Sequence, residues 1–265
     1  MPTLSYNTIR CAVCGRESQQ PNILSYSTFG FPDLDFRPPK MLRDTMSCWI
    51  QDCPFCCYSN TELSQPCDLP PEVFLEIYQK IETGFDWKKL PDKLTEAVRN
   101  SQFISLKRLH GSDDISDRYI NSTLWEYNEG IRFAKLGAML AKLNDYSGAA
   151  TQFLMTAWSF DDEAVEQAAT HWRKKAIEQV ETMINQSPAQ ITEEMFCIYA
   201  DMLRRTGDFQ SVINLDERRL HDAIHIQLMK YQKELSELSD HTVHRINESG
   251  AVVSDKYSTG MFFCL

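Results

Sequence analysis

Cys11-Ala12-Val13-Cys14-Gly15 and Cys53-Pro54-Phe55-Cys56-Cys57 are the two stretches that decide how the first sixty residues fold. In each C-x-x-C pair, two intervening residues let the chain turn sharply enough for both sulfurs to reach one ion at about 2.3 Å. Gly15 follows the first pair, where such a turn commonly demands a positive φ that glycine adopts freely. Four thiolates from two pairs fill a tetrahedral shell, so the spacing predicts one structural Zn2+ held by Cys11, Cys14, Cys53 and Cys56, with no open position for catalysis. Cys48 and Cys57 lie close enough in sequence that substitution by either as a ligand stays open.

Six of the nine cysteines fall between positions 11 and 57. In a reducing compartment such clustering points to metal ligation or buried thiols rather than a disulfide framework. A redox dithiol is the competing reading of one pair, but it calls for an alternating β/α pattern around the pair, which is missing here. Residues 6–60 are rich in aromatics, proline and turn formers, with short candidate strands at 22–27 and 46–50. A segment of this kind has little hydrophobic core of its own and needs a metal or disulfide staple.

The texture changes after Cys67. Asp68-Leu69-Pro70-Pro71-Glu72 reads as a helix start, with aspartate as cap, prolines in the opening turn and glutamate near the positive end of the helix dipole. Val73, Ile77 and Ile81, flanked by Phe74 and Tyr78, form one apolar stripe and predict a helix from 71 to about 83. A second helix is expected near 92–105, and a poorly patterned stretch at 111–117 precedes a long helical region reaching about Ser239. The expected organisation is a metal-binding domain over 1–66, a helical domain over 67–246 and a tail over 247–265, whose apolar end is expected to dock on a helical groove.

From Cys11 to Tyr58 the chain resembles the N-terminal zinc ribbon of a prokaryotic family known only as a conserved domain of unknown function. The resemblance rests on the CAVCG at 11–15, Asp33-Leu34-Asp35, Arg37-Pro38-Pro39, and Trp49 ahead of the CPFCCY at 53–58. This sequence departs from the family by carrying Cys57 where a glycine is usual. In that family the ribbon precedes a helical region similar to tetratricopeptide repeats (TPR). Setting the turn at Asn144-Asp145-Tyr146 places Phe133, Leu136, Gly137, Leu140, Ala149 and Phe153 on the large-small-large pattern of such a repeat. A second turn at Gly207-Asp208-Phe209 does the same for Phe196, Tyr199, Ala200, Leu203 and Val212, although Asp216 and Arg219 break its second helix. An ordinary antiparallel helical bundle is the alternative. Either way the expected class is mainly α: a small zinc-ribbon N-terminal domain followed by a TPR-like helical domain.

The formal net charge is -10, while residues 1–60 carry five basic and five acidic side chains. Neither balance suits a surface built to neutralise phosphates. The opening residues lack a basic start followed by an apolar run, and no stretch reaches the ~18–20 apolar residues that span a bilayer, so a cytoplasmic protein is expected. No phosphate loop, dinucleotide fingerprint or nucleophile elbow occurs. His221 and His225 stand four apart but lack the glutamate of a metalloprotease helix, and His241 and His244 have no third ligand in sequence. Asp113-Asp114 and Asp161-Asp162 fall at expected turns or helix starts, where capping accounts for them. No catalytic residue is assigned. The sequence therefore predicts a non-enzymatic zinc protein whose helical groove binds a protein or peptide. A nucleic-acid-binding regulator and a thiol-redox protein or enzyme are the alternatives.

Overall fold

The computed structural model describes residues 3–27, 29–84 and 129–250. Among them are four strands and eight α-helices, so the chain is mainly helical with a small β region at its N-terminus. Strand β1 (Thr3–Arg10) pairs antiparallel with β2 (Glu17–Ser25), from Arg10 opposite Glu17 out to Thr3 opposite Ser25. The first cysteine pair forms the turn between them. Two-residue strands β3 (Gln51–Asp52) and β4 (Ser59–Asn60) pair antiparallel around the second cysteine pair. Both C-x-x-C pairs are thus hairpin tips.

Residues 46–50, expected as a strand, instead form a single 3-10 turn over Met46–Cys48 after the short helix α1 (Lys40–Arg43). Local side-chain bonding explains the difference. Thr45 donates its hydroxyl to the Leu42 carbonyl at 2.7 Å and accepts the Trp49 indole N–H at 2.9 Å, which closes the segment on itself. The other expected strand, 22–27, overlaps the second half of β2 at 22–25, and the pairing stops at Ser25.

Helix α2 (Pro71–Gly84) begins on Pro71, where a missing N–H costs nothing. It buries Phe74, Ile77, Tyr78 and Ile81, and the Phe74 ring packs 5.1 Å from that of Tyr58 beside the second cysteine pair. The helix expected near 92–105 and the stretch at 111–117 lie outside the described residues, as do Trp125, Tyr127, Asp113-Asp114 and the tail beyond residue 250.

Helices α3 (Glu129–Lys142), α4 (Tyr146–Asp162) and α5 (Glu166–Gln186) follow one another through three-residue turns, each packing on the one before. Helices α6 (Glu193–Arg205), α7 (Phe209–Ile213) and α8 (Ala223–Glu237) complete the set. Four helix ends share one device. Asn144, Ala164, Gly207 and Ser239 take positive φ, and the next residue's N–H returns to the carbonyl five residues back: Asp145 to Leu140, Val165 to Phe160, Asp208 to Leu203, Asp240 to Leu235. This is the Schellman closure, which satisfies carbonyls that the helix end would leave orphaned. The two turns read from sequence, at 144–146 and 207–209, are two of these four. In both, the aspartate then caps the following helix, Asp145 accepting from the Gly148 N–H and Asp208 from the Ser211 N–H.

Residues of the two sequence patterns are buried: Phe133, Leu136, Ala149 and Phe153 around the first turn, Phe196, Tyr199, Ala200, Leu203 and Val212 around the second. At Gly137 a Cβ would sit 2.9 Å from the Phe153 ring, so α3 and α4 meet at a distance only glycine permits. Helix α7 stops at Ile213, before the Asp216 and Arg219 that the sequence marks as breakers.

One apolar cluster runs from Cys11, Leu34, Phe36, Met46, Ile50 and Tyr58 into the helices, so the N-terminal segment and the helical layer share a core. Residues 33–37 are the main link. The Leu34 N–H donates to the His244 carbonyl (2.9 Å), the Ile246 N–H to the Pro32 carbonyl (3.0 Å), and the Trp158 indole to Asp35 Oδ2 (2.6 Å). Asp161 and Asp162 do not cap a helix start. They close α4 at its C-terminal end, a position the helix dipole disfavours for acids, and are neutralised by arginines. Asp161 pairs with Arg173, Arg205 and Arg37, and Asp162 with Arg37 and Arg43. No helix among the described residues is long and apolar enough to cross a membrane.

Candidate metal centre

The hairpin tips carry the same backbone hydrogen bonds in the same positions. In the first, the Gly15 N–H donates to the Cys11 carbonyl (2.9 Å) and the Cys11 N–H to the Arg16 carbonyl (2.9 Å). In the second, the Cys57 N–H donates to the Cys53 carbonyl (3.1 Å) and the Cys53 N–H to the Tyr58 carbonyl (2.8 Å). Gly15 has φ 71° and Cys57 has φ 64°. Cys57 therefore fills the position that glycine fills in the first turn, at the steric cost a side chain carries in the left-handed region.

In both turns the third and fourth residues direct backbone N–H groups at the first sulfur, from Val13 and Cys14 to Cys11 and from Phe55 and Cys56 to Cys53. Such donors stabilise thiolates. The two tips meet: Cys11 Sγ lies 3.7 Å from Cys56 Sγ, Cys14 Sγ lies 3.5 Å from Cys53 Sγ, and all four sulfurs fall within 4.8 Å of one another. A tetrahedral shell with metal–sulfur bonds of about 2.3 Å has sulfur–sulfur edges of about 3.8 Å. The four cysteines thus lie close enough to hold one metal ion, and their spacing fits such a shell. Among the described residues no other group of Cys, His, Asp or Glu converges in this way.

Without a cation the site resists ionisation. Burial pushes the Cys11 thiol up to about 11, and Cys53 is raised further by its hydrogen bond to Cys56 and by burial. A divalent ion reverses that field by replacing the protons, so metal uptake releases protons and strengthens as pH rises.

Contacts outside the sulfurs hold the two hairpins in register. The Gln20 side chain acts as a mimic of a peptide group: its Nε2 donates to the Asp52 carbonyl (3.0 Å) and its Oε1 accepts the Asp52 N–H (3.2 Å). The Arg16 guanidinium lies over the Phe55 ring at 4.8 Å, and the Ala12 N–H donates to the Leu63 carbonyl at 3.0 Å. Asp52 is also tied to the helices through an ion pair with Lys135, and this cation together with Arg132 holds its carboxyl below the usual range against the opposing effect of burial. Sequence reading missed Gln20 and Lys135, because a polar residue in a strand or helix carries no mark of a partner far along the chain.

Cys48 and Cys57 stand apart from the four-sulfur group, as do the remaining cysteines of the described residues. His225 Nδ1 lies 3.5 Å from both Glu193 Oε2 and Asp222 Oδ1, while His241 is mostly exposed. His244 is enclosed by Asp240, Glu248 and Thr242. Trp158 and Trp172 are core residues, 3% and 5% exposed. No family model matches the chain, and comparison with curated proteins and with solved structures finds no similar one.

Proposed function

We propose that the chain is a non-enzymatic scaffold in which a zinc ribbon, closed by one structural Zn2+ on Cys11, Cys14, Cys53 and Cys56, braces a TPR-like helical layer that receives a protein or peptide. The observation that carries this reading is the convergence of four sulfurs from two matching hairpin tips. A shell of four thiolates suits zinc or iron by its softness and geometry, and it leaves no position for substrate. The succession α3–α4–α5, the close approach at Gly137 and the two buried sequence patterns support the repeat-like description, as does the resemblance of residues 11–58 to the ribbon family.

For the partner we assign an open groove of about 450 Å3 across α2, α3, α4 and α5. Its apolar lining includes Ile77, Ile81, Phe153 and Trp172, and Lys80, Lys142 and Lys175 also line it, Lys80 and Lys175 each paired with a glutamate of its own helix, Glu76 and Glu178. On a chain of net charge -10 this local basic lining suits an apolar anchor flanked by carboxylates.

Metal content tests the first half. Native mass spectrometry and elemental analysis should find one zinc per chain in the wild type and none in Cys11→Ser or Cys56→Ser. Iron in place of zinc would favour an electron-transfer role and overturn the structural assignment. Affinity capture tests the second half. A partner retained stoichiometrically by the zinc-loaded wild type should be lost with Lys142→Glu/Lys175→Glu, and equal recovery by both would rule out this groove.

A further inference from the structure

A second cavity, of about 390 Å3, lies between the N-terminal segment and helices α3, α4 and α6. That volume falls in the ~300–1,000 Å3 range of small-molecule sites. Phe36, Trp49 and Ile50 form one wall, and Met155, Trp158 and Met195 belong to the other. Methionines and tryptophans adapt to a varied apolar body, and an indole face also attracts a cation.

The polar part of the lining has one sign. Asp35, Gln152, Glu194 and two threonines contribute to it, and among the described residues no lysine, arginine or histidine does. Asp35 is 1% exposed. Its Oδ1 accepts the Arg37 backbone N–H (3.2 Å) and its Oδ2 the Trp158 indole (2.6 Å), which leaves lone-pair capacity on a carboxylate with about four acceptor sites. Burial and the Asp201 carboxylate raise its carboxyl above the ordinary range, and the cations that oppose this, Arg173 and Arg205, make their direct ion pairs with Asp161. Gln152 Oε1 is buried with no hydrogen-bond partner. An orphaned buried acceptor carries an uncompensated desolvation cost that is relieved by a donor brought from outside.

We propose that this cavity binds a small apolar molecule carrying a protonated amine, whose N–H donors are met by the acceptors of the lining, Asp35 foremost. Anionic ligands are disfavoured by the carboxylates, and a neutral hydrocarbon would leave Gln152 Oε1 unsatisfied. The proposal does not depend on what binds the lysine-lined groove or on the identity of the metal.

The test uses the full metal-loaded chain and three shape-matched probes: phenethylamine, phenethyl alcohol and 3-phenylpropionate. Titration is followed by ligand-observed NMR and by tryptophan fluorescence, since Trp49 and Trp158 line the cavity. The amine should bind at least about tenfold more tightly than the alcohol, as a charge-assisted hydrogen bond implies, and the acid should bind worst. Asp35→Asn should bring amine and alcohol within about threefold of each other. Asp35 sits in a buried network, so two variants elsewhere in the lining, Gln152→Leu and Glu194→Gln, are tested beside it. Each should weaken the amine by about threefold or more at unchanged melting temperature. Equal binding of amine and alcohol overturns the proposal, as does preference for the acid, or indifference of folded Gln152→Leu and Glu194→Gln. Absence of saturable amine binding up to about 10 mM, weaker than ~3 kcal/mol, does so too.

Discussion

Stripping the metal from the intact chain should release strands β1 and β2 while leaving helices α3–α5 in place. The reason is how little else holds that hairpin. Of the 8 residues of β1 none is buried, and of the 9 residues of β2 only Gln20 and Pro21 are. A two-stranded hairpin is at best marginally stable in water, since ordering its backbone costs about 1–2 kcal/mol per residue and it buries almost no apolar area. Structural zinc sites of this type contribute about 10–16 kcal/mol near neutral pH. The Gln20–Asp52 pair and the Arg16–Phe55 contact cannot replace that, each being worth on the order of 1 kcal/mol. Helices α3–α5 bury Phe133, Phe153, Trp158, Trp172 and Val180 independently of the metal. Hydrogen exchange by mass spectrometry, before and after chelation under reducing conditions, reads each segment separately. Amides of residues 3–25 should exchange at least about 1,000-fold faster without metal, equivalent to ~4 kcal/mol, and those of 129–186 less than about tenfold faster. Residues 51–60 should fall between, held by the Asp52–Lys135 ion pair and the Tyr58–Phe74 contact. Unchanged protection of residues 3–25 after verified metal loss would refute the reasoning. So would simultaneous loss of protection in α3–α5, because the metal would then hold the whole molecule.

Cys57→Gly should keep one metal per chain and shift stability by less than about 1 kcal/mol, as relief of the left-handed strain offsets the lost burial; loss of metal in this variant would make Cys57 a ligand. Arg204→Met should cost about 3–5 kcal/mol in urea unfolding, because Arg204 is fully buried on Gln232, Asp201 and two carbonyls, and its removal strands the buried Asp201 carboxylate; a cost under about 1 kcal/mol would contradict this. Burial and the neighbouring Asp35 raise the Asp33 carboxyl to about 7, so the folded chain holds a proton that the unfolded chain releases near 3.8, and this group's contribution to stability falls as pH rises between those values. Asp33→Asn should therefore gain on the wild type across that window by up to about 1.4 kcal/mol per pH unit, and a flat difference curve would show that Asp33 titrates normally.

The convergence of the four cysteines was legible because a C-x-x-C turn is fixed by its own few residues, and two such turns can bring four sulfurs close enough to hold one metal ion. Helix α2 and the turns at 144–146 and 207–209 were legible for the same reason, being set by local periodicity and local caps. Strand β1 was not, since its residues are exposed on both faces, the short alternation at Leu4 and Tyr6 breaks before Ile9, and its existence depends on pairing with β2. The turn at 46–48 was misread because its apolar residues suit a strand, while its conformation is set by Thr45 hydrogen bonds that composition does not show.

The segment 33–37 illustrates the deeper limit. Its alternation of acidic and apolar residues ending in arginine gives no local reason for its conformation, yet it ties the β-rich N-terminal segment to two distant parts of the helical layer. Asp35 meets Trp158 and Arg37 meets Asp161 and Asp162, each more than a hundred residues away, while Asp33 forms a β-bridge with Arg245. Those partners resolve a difficulty at the end of α4, where two adjacent acids face the negative pole of their own helix dipole. Arginines from the N-terminal segment, from α5 and from α6 converge there and offset both the dipole and the mutual repulsion. The N-terminal segment therefore contributes charge as well as bulk to the helical layer. The four-cysteine cluster lies at the other end of the same N-terminal segment, tied to α3 through Asp52 and Lys135. Position along the chain separates the cysteine cluster from the arginine cluster, but both attach one short β-rich segment to the same helices, and neither attachment is visible until the partner residue is known.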